Sequence, residues 1–286
     1  MPQTLITLYS QLLQIFVKLF VKLTGRGGGK FVRFLPKGQQ HVVRNYAGNF
    51  QLQVDTTYQI EASVWLAGVY DLTTTQFLQQ VLRENDVFLD IGANCGAITL
   101  VAASIIKTGK IYAFEPGPII RSRLQANLDL NPSLKDIVQV VPLGLGQQRC
   151  QLSYFEDQTY RGNGGLFQNE QGTAVEVLPL DEWVALEQPG RVDVIKLDVE
   201  GMEYDVLLGS KTVLTTYYPT IYFETLPGFF ADKPYSIRTI YEFLMSLGYV
   251  IIGPRNPYAP IALNGPYPAN SVAIHTTQIQ RLERAN

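Results

Sequence analysis

Cysteine and histidine are almost missing from this chain, with two of each among 286 residues. Cys95 and Cys150 cannot build a disulfide framework, and a reducing, cytoplasmic compartment is the simplest reading. His41 and His275 lie far apart in the sequence and read as surface or structural residues, so a catalytic base is expected to be a carboxylate. Charge is also sparse, at 17% of residues with a net charge of −2. That balance gives no electrostatic case for nucleic acid. There is no internal repeat and no low-complexity tract. Acidic residues are absent before Asp55, whereas Lys18, Lys22, Arg26, Lys30, Arg33, Lys37 and Arg44 all precede it. Such asymmetry marks residues 1–56 as an extension with its own role, set apart from residues 57–286.

Within the extension, residues 4–23 have helical periodicity. Thr7, Gln11, Gln14, Lys18 and Lys22 form one polar stripe, and most other positions are apolar. The basic residues follow the apolar run, which is not the order of a signal peptide. The stripe runs the whole length, which makes the helix a poor transmembrane span. Two readings stay open: packing on its own domain or on a second subunit of a homo-oligomer, and peripheral contact with the inner membrane surface, lysines reaching lipid phosphates. Beyond a glycine break at 25–30, residues 31–56 alternate loosely and suggest short strands. Thr57–Tyr70 reads as a helix or irregular cap and Thr73–Arg83 as a helix.

What the chain has in quantity is hydrophobic residues, 46% of the total, arranged as alternating short apolar runs and helical segments. Strands are expected near 86–91, 110–115, 137–142, 192–198, 219–224, 248–252 and 271–275. Helices are expected near 96–107, 117–130, 180–188, 201–215 and 236–247. Repeated βα units imply an α/β, doubly wound, mostly parallel seven-stranded sheet covered on both faces. The last two strands are joined by a proline-rich stretch, 253–270, with no crossover helix, so the final strand is expected to be antiparallel. Residues 150–156 and 173–178 alternate as a hairpin, inserted between the third and fourth strands. A glycine loop, Tyr160-Arg-Gly-Asn-Gly-Gly165, lies between them.

The segment Asp90-Ile-Gly-Ala-Asn-Cys-Gly96 follows the first core strand and opens a helix, as nucleotide-type sites in open α/β sheets do. A dinucleotide fingerprint would be G-x-G-x-x-G. Here Gly92 is followed by Asn94 in the second glycine slot and Ala97 in the third, so a pyrophosphate fits poorly and a phosphate-free adenosyl ligand fits better. The second strand ends in Phe114-Glu115-Pro116, and a carboxylate at a strand tip can take both hydroxyls of a ribose. Asp90 is then free to face an amino-acid ammonium. An adenosine joined to an amino acid is S-adenosylmethionine. Cofactor contacts are therefore assigned to Asp90, Gly92, Ala93, Asn94, Gly96, Glu115, Pro116 and Asp198. Cys95 reads as a small packing residue.

Ligands in open α/β sheets bind outside the carboxyl ends of the strands. That rule gathers Asp90, Glu115, Asp198, Glu200 and Glu224 on one edge. Transfer to a hydroxyl needs in-line positioning and a base for the leaving proton, and Asp198, Glu200 and Glu224 are the candidates. Clustered acids could instead hold a divalent cation such as magnesium. After the third strand, Pro142-Leu-Gly-Leu-Gly146 carries no polar side chain, so adenine recognition there would be by backbone and apolar packing.

Asp90-Ile-Gly-Ala-Asn, Phe114-Glu-Pro and Lys196-Leu-Asp-Val-Glu-Gly-Met-Glu203 together resemble the FkbM family of S-adenosylmethionine-dependent methyltransferases, over roughly residues 58 to 276. The Gly68-Val-Tyr70-Asp71 segment and the glycine-rich loop near 160 are similar to features of that family. The resemblance implies methylation of an oxygen on a small-molecule or glycan acceptor: a sugar or secondary-metabolite hydroxyl. Two other readings stay open, a nicotinamide-dependent oxidoreductase and a catalytically inactive binding protein on the same fold.

Overall fold

A computed structural model describes residues 3–25, 28–156, 164–167, 172–255 and 258–283. We number the strands of its central sheet β1 (Val87–Ile91), β2 (Lys110–Phe114), β3 (Val138–Val141), β4 (Val194–Leu197), β5 (Thr220–Glu224), β6 (Tyr249–Ile252) and β7 (Asn270–His275). Their spatial order is β6-β7-β5-β4-β1-β2-β3. All neighbours are parallel except β7, which runs antiparallel to both β5 and β6. The seven expected strands and the antiparallel last one are all present. The chain leaves β1 to build β2 and β3 on one side and then returns to build β4 on the other. The carboxyl ends of β1 and β4 therefore flank the switch point, where crevices open in such sheets.

Every residue of β1 is buried. Side chains alternate between two apolar cores, Phe88 facing one and Val87, Leu89 and Ile91 the other. Helices cover both faces. In the first core lie α2 (Gln59–Ala67), α3 (Leu72–Val81), α4 (Ala97–Ile105) and α5 (Pro118–Asp129). On the second face pack the helices Leu180–Glu187, Glu203–Leu208, Lys211–Thr216 and Ile237–Ser246. The single helix expected over 201–215 is two. The break falls at Gly209, where a Cβ would sit 2.0 Å from the Gly146 carbonyl oxygen. The second piece starts afresh, with Thr212 and Val213 N–H groups donating to the Asp181 carboxylate at 2.9 Å each.

The insertion pairs as expected, Cys150–Glu156 antiparallel to Thr173–Leu178, and it is larger than a hairpin. Gly164–Phe167 adds a strand beside Cys150–Glu156, and Gly144–Leu145 one beside Thr173–Leu178. Residues 160–163 of the glycine loop lie outside the described residues.

In the extension, α1 (Gln3–Thr24) is the expected helix, and Gln40–Tyr46 with Phe50–Asp55 form an antiparallel hairpin. Residues 31–34 are not a strand. They belong to a 3₁₀ turn, Gly29–Phe34, whose Phe31 packs edge-on against Phe16 and Phe20 of α1. The hairpin is tied to the main body by side chains of α5 and the residues after it. Gln53 N–H donates to Asn127 Oδ1, and Gln51 N–H to Asn131 Oδ1, both at 2.8 Å. Tyr46, Leu52 and Val54 share one core with Phe88 and Ile111.

Candidate active site

The turn after β1 is held by its own neighbourhood. Gly92 has φ +78°, and a Cβ there would lie 1.9 Å from the Asp198 carbonyl oxygen, so this close crossing of two backbones requires glycine. Gly92 and Ala93 N–H groups donate to Phe114 O at 3.1 and 2.9 Å. Asn94 N–H donates to Glu115 Oε2 at 2.9 Å, Cys95 N–H to Asn94 Oδ1 at 2.8 Å and Gly96 N–H to Ala93 O at 3.0 Å. Five consecutive N–H groups are thus consumed within the protein. A phosphate-binding turn needs such groups turned toward the ligand.

Over this turn opens a cavity of about 290 Å³. Of the residues assigned from sequence, Gly92, Ala93, Asn94, Glu115, Pro116, Asp198, Glu200 and Glu224 line it. Asp90 and Gly96 do not. Asp90 is fully buried behind the wall, accepting from Thr99 Oγ1 at 2.6 Å and facing Lys196 Nζ at 3.4 Å. The Pro142–Gly146 segment also lies away from the cavity, where Gly144 and Leu145 pair with Val177 and Leu178. The cavity's apolar wall comes instead from residues such as Ile60, Ile98, Leu166 and Phe229.

Glu115 is nearly buried at the tip of β2. Its Oε1 accepts from Gly117 N–H at 2.8 Å and its Oε2 from Asn94 N–H. Burial pushes its pKa up to about 7, against the pull of those two N–H groups and of Lys196. Each oxygen has acceptor capacity beyond that one bond, and the residue lines the cavity.

Across the switch point the acids are held differently. Lys196 is buried in β4 and donates to Gly92 O at 2.6 Å, with Asp198 Oδ2 at 3.5 Å and Asp90 Oδ1 at 3.4 Å. Burial works against its charge, but Asp198 and Asp90 more than offset that and hold the ammonium above its usual range. Glu224 ends β5. Its Oε2 is buried with no hydrogen-bond partner among the described residues. Burial, then the charges of Asp198, Glu203 and Glu200, pushes its pKa up to about 9. Glu203 is buried outside the cavity, where its Oε1 accepts from Val199 N–H at 3.1 Å. Burial moves it up to about 7.

Two further tyrosines line the cavity. Tyr70, from the Gly-x-Tyr-acid segment, has its phenol raised well above the usual range by burial and then by Asp198, Asp71 and Glu224. Tyr154 reaches in from the insertion, its ring within 2.5 Å of where Cβ atoms on Gly117 and Gly164 would be. Sequence reasoning missed Lys196 and Tyr154. A lysine inside an otherwise apolar strand, two residues before an aspartate on the same face, was the available sign of a buried ion pair. Tyr154 had no such sign, because only the fold of the insertion brings it to the turn. The histidines lie elsewhere, His41 stacked on Trp65 and His275 against Tyr218 and Tyr249. Cys95 is a buried core residue, and burial raises its thiol pKa. Among the described residues, no group of three or more His, Cys, Asp or Glu side chains is placed to hold a metal ion.

Residues 90–251 match the model of the methyltransferase FkbM domain. A hexuronic acid methyltransferase of Haloferax volcanii is 30% identical over 176 residues, covering 60% of this chain and 68% of that protein. A methyltransferase of Beauveria bassiana is 27% identical over 200 residues, covering 62% and 77%. The crystal structure of an FkbM methyltransferase from Methylobacillus flagellatus KT aligns at 15% identity with a TM-score of 0.46, covering 68% of this chain and 44% of that one. With the family's domain model covering more than half of its length, this chain belongs to the FkbM methyltransferase family.

Proposed function

We propose that the protein binds S-adenosylmethionine and methylates a hydroxyl oxygen of a sugar, glycan or similar polyhydroxylated acceptor. The observation that carries the cofactor is the self-satisfied turn: the five N–H groups from Gly92 to Gly96 are all taken, so nothing there awaits a phosphate. A nucleoside without phosphates asks for something else, a fixed acceptor for its ribose hydroxyls. Glu115 supplies it, fixed at the cavity wall by Asn94 and Gly117. Ile60, Ile98, Leu166 and Phe229 suit the apolar parts.

Bound there, S-adenosylmethionine supplies an electrophilic methyl on a sulfonium. The chain's own part is to orient the acceptor and to remove its proton. Asp198, at the cavity wall and beside Lys196, is the base: its carboxylate oxygen takes the hydroxyl proton as the acceptor oxygen gains the methyl. Glu224, kept protonated to about pH 9, is a hydrogen-bond donor to an acceptor oxygen, and Glu200 adds a polar contact at the same end. The hexuronic acid specificity belongs to the relative, and it supports an acidic or neutral sugar as the first acceptor to try.

Calorimetric titration with S-adenosylmethionine and with NADH tests the cofactor. Tight binding of the first and none of the second is expected, and the reverse would make the protein an oxidoreductase. A glycan and hydroxylated-metabolite screen for methylated product tests the reaction. Binding without any product across that screen favours a binding protein. Activity lost in chelator and restored by magnesium would replace the carboxylate base with a metal ion.

A further inference from the structure

The N-terminal helix docks on the body with one face and leaves a second apolar face open. The docked face is narrow. Ser10 and Val17 are buried, and Gln14 Nε2 donates to Trp65 O of α2 at 2.6 Å. On the opposite side Leu5, Leu8, Leu12, Ile15, Leu19 and Leu23 are 52–74% exposed. At 3.6 residues per turn these six, with Phe16 at the edge, cover roughly 100° of the circumference as one unbroken arc. A surface helix of a globular domain has one such stripe, facing its core. This helix has two.

Cations rim the open arc on both sides. Lys18 and Lys22 flank it on one edge. On the other lies the 3₁₀ turn, with Lys30 Nζ 4.6 Å from the Phe20 ring centre, Arg33 over Phe34, and Phe34 itself half exposed. Among the described residues no carboxylate lies within salt-bridge distance of Lys18, Lys22, Lys30 or Arg33. The positive charges are therefore not what fastens the extension to the acidic body. They surround the open apolar arc instead.

We propose that this surface lies on an anionic lipid bilayer, with the arc in the acyl boundary and the four cations at the phosphates. Thr4–Thr24 is long and apolar enough to cross a membrane, but one face is docked on the body through Gln14 and buried Val17, so the helix meets the bilayer in plane. A second copy of the chain is the poorer occupant. Two arcs placed face to face would bring like-charged rims together, with no acid before Asp55 to neutralise them. The inference does not depend on the methyl-transfer reading.

Flotation of the full chain with vesicles tests it. Phosphatidylcholine vesicles containing phosphatidylglycerol are expected to carry the protein at least tenfold better than phosphatidylcholine alone. Lys18→Glu with Lys22→Glu is expected to weaken binding to the anionic vesicles by about fivefold or more per position, the fold-change for about 1 kcal/mol per charge. Leu12→Asp with Ile15→Asp is expected to abolish flotation while circular dichroism and the melting transition stay unchanged. If that variant misfolds, the lysine pair still decides. Wild-type protein that stays at the bottom with anionic vesicles overturns the proposal. So does equal binding to both vesicle types, or a dimer by light scattering that Leu12→Asp with Ile15→Asp makes monomeric.

Discussion

The two sides of the switch point hold their carboxylates under opposite conditions. On the β1–β2 side, Glu115 lines the cavity with both carboxylate oxygens accepting, from Asn94 and Gly117. On the β4–β5 side, Asp198, Glu200 and Glu224 share one end of the cavity, and a buried Glu224 oxygen has no partner among the described residues. Satisfied acceptors hold a ligand in one place. Glu224, with one oxygen unpartnered and its pKa pushed up by burial and by the acids around it, can exchange a proton when a nearby substrate changes that balance. Under the proposed function, the same residue type serves binding on one side and chemistry on the other. Lys196 touches both sides, through Asp90 and Asp198.

The comparison breaks first if the chemistry is not on the β4–β5 side. Asp198→Asn removes the proposed base and keeps the shape. Turnover is expected to fall by about 10²–10⁴-fold, the usual weight of a general base. S-adenosylmethionine affinity by calorimetry is expected to stay within about threefold, a change worth under 1 kcal/mol. Equal losses in both would move Asp198 to the binding side.

Next is the bridge. Lys196→Met leaves Asp90 buried without its cation, and stranding one member of a buried pair costs about 3–5 kcal/mol. Chemical denaturation is expected to show that loss. Adding Asp90→Asn should recover much of it, since the stranded charge goes. No recovery would mean that Lys196 works through the Gly92 carbonyl and not through the pair.

On the binding side the effect is smaller. Glu115→Ala removes a charged acceptor whose hydrogen bonds are worth about 1.5–3 kcal/mol each. S-adenosylmethionine binding is expected to weaken at least tenfold, with the fold intact. Wild-type affinity should also fall as pH drops below about 7, where Glu115 gains a proton, and Glu115→Gln should flatten that dependence.

Much of this contrast is legible in the order of the residues. Apolar runs of four to six residues ending in an acid place Glu115, Asp198 and Glu224 at one sheet edge by topology alone. Orientation is not legible there. Asp90 pairs in register with Lys196 on the neighbouring strand and accepts from Thr99 of α4, fully buried and outside the cavity lining. The split at Gly209 depends on the Gly146 backbone, distant in sequence. The periodicity of residues 4–23 marks a helix but carries no sign of which apolar arc docks. That choice belongs to the surface of α2 around Trp65.

The finest probe is the dependence of stability on pH, which sees the β4–β5 crowding without any substrate. Glu224 has an ordinary pKa of 4.5 when unfolded and one pushed up to about 9 when folded. Between those values the native state holds a proton that the unfolded state has lost. Stability then falls as pH rises. Glu115 and Glu203, each raised to about 7, act in the same direction but only up to that pH. The decline from about pH 7 to 9 is therefore mainly the share of Glu224. Glu224→Gln keeps the hydrogen-bond donor and cannot ionise. Its melting temperature is expected to match wild type near pH 5 and to exceed it by about 2 °C or more near pH 9. Wild-type activity is also expected to fall on the alkaline side, as Glu224 loses the proton it is proposed to donate, and Glu224→Gln should remove that fall. Parallel melting curves across this range would show that Glu224 ionises normally in the folded chain, and the two sides of the switch point would then differ in geometry alone.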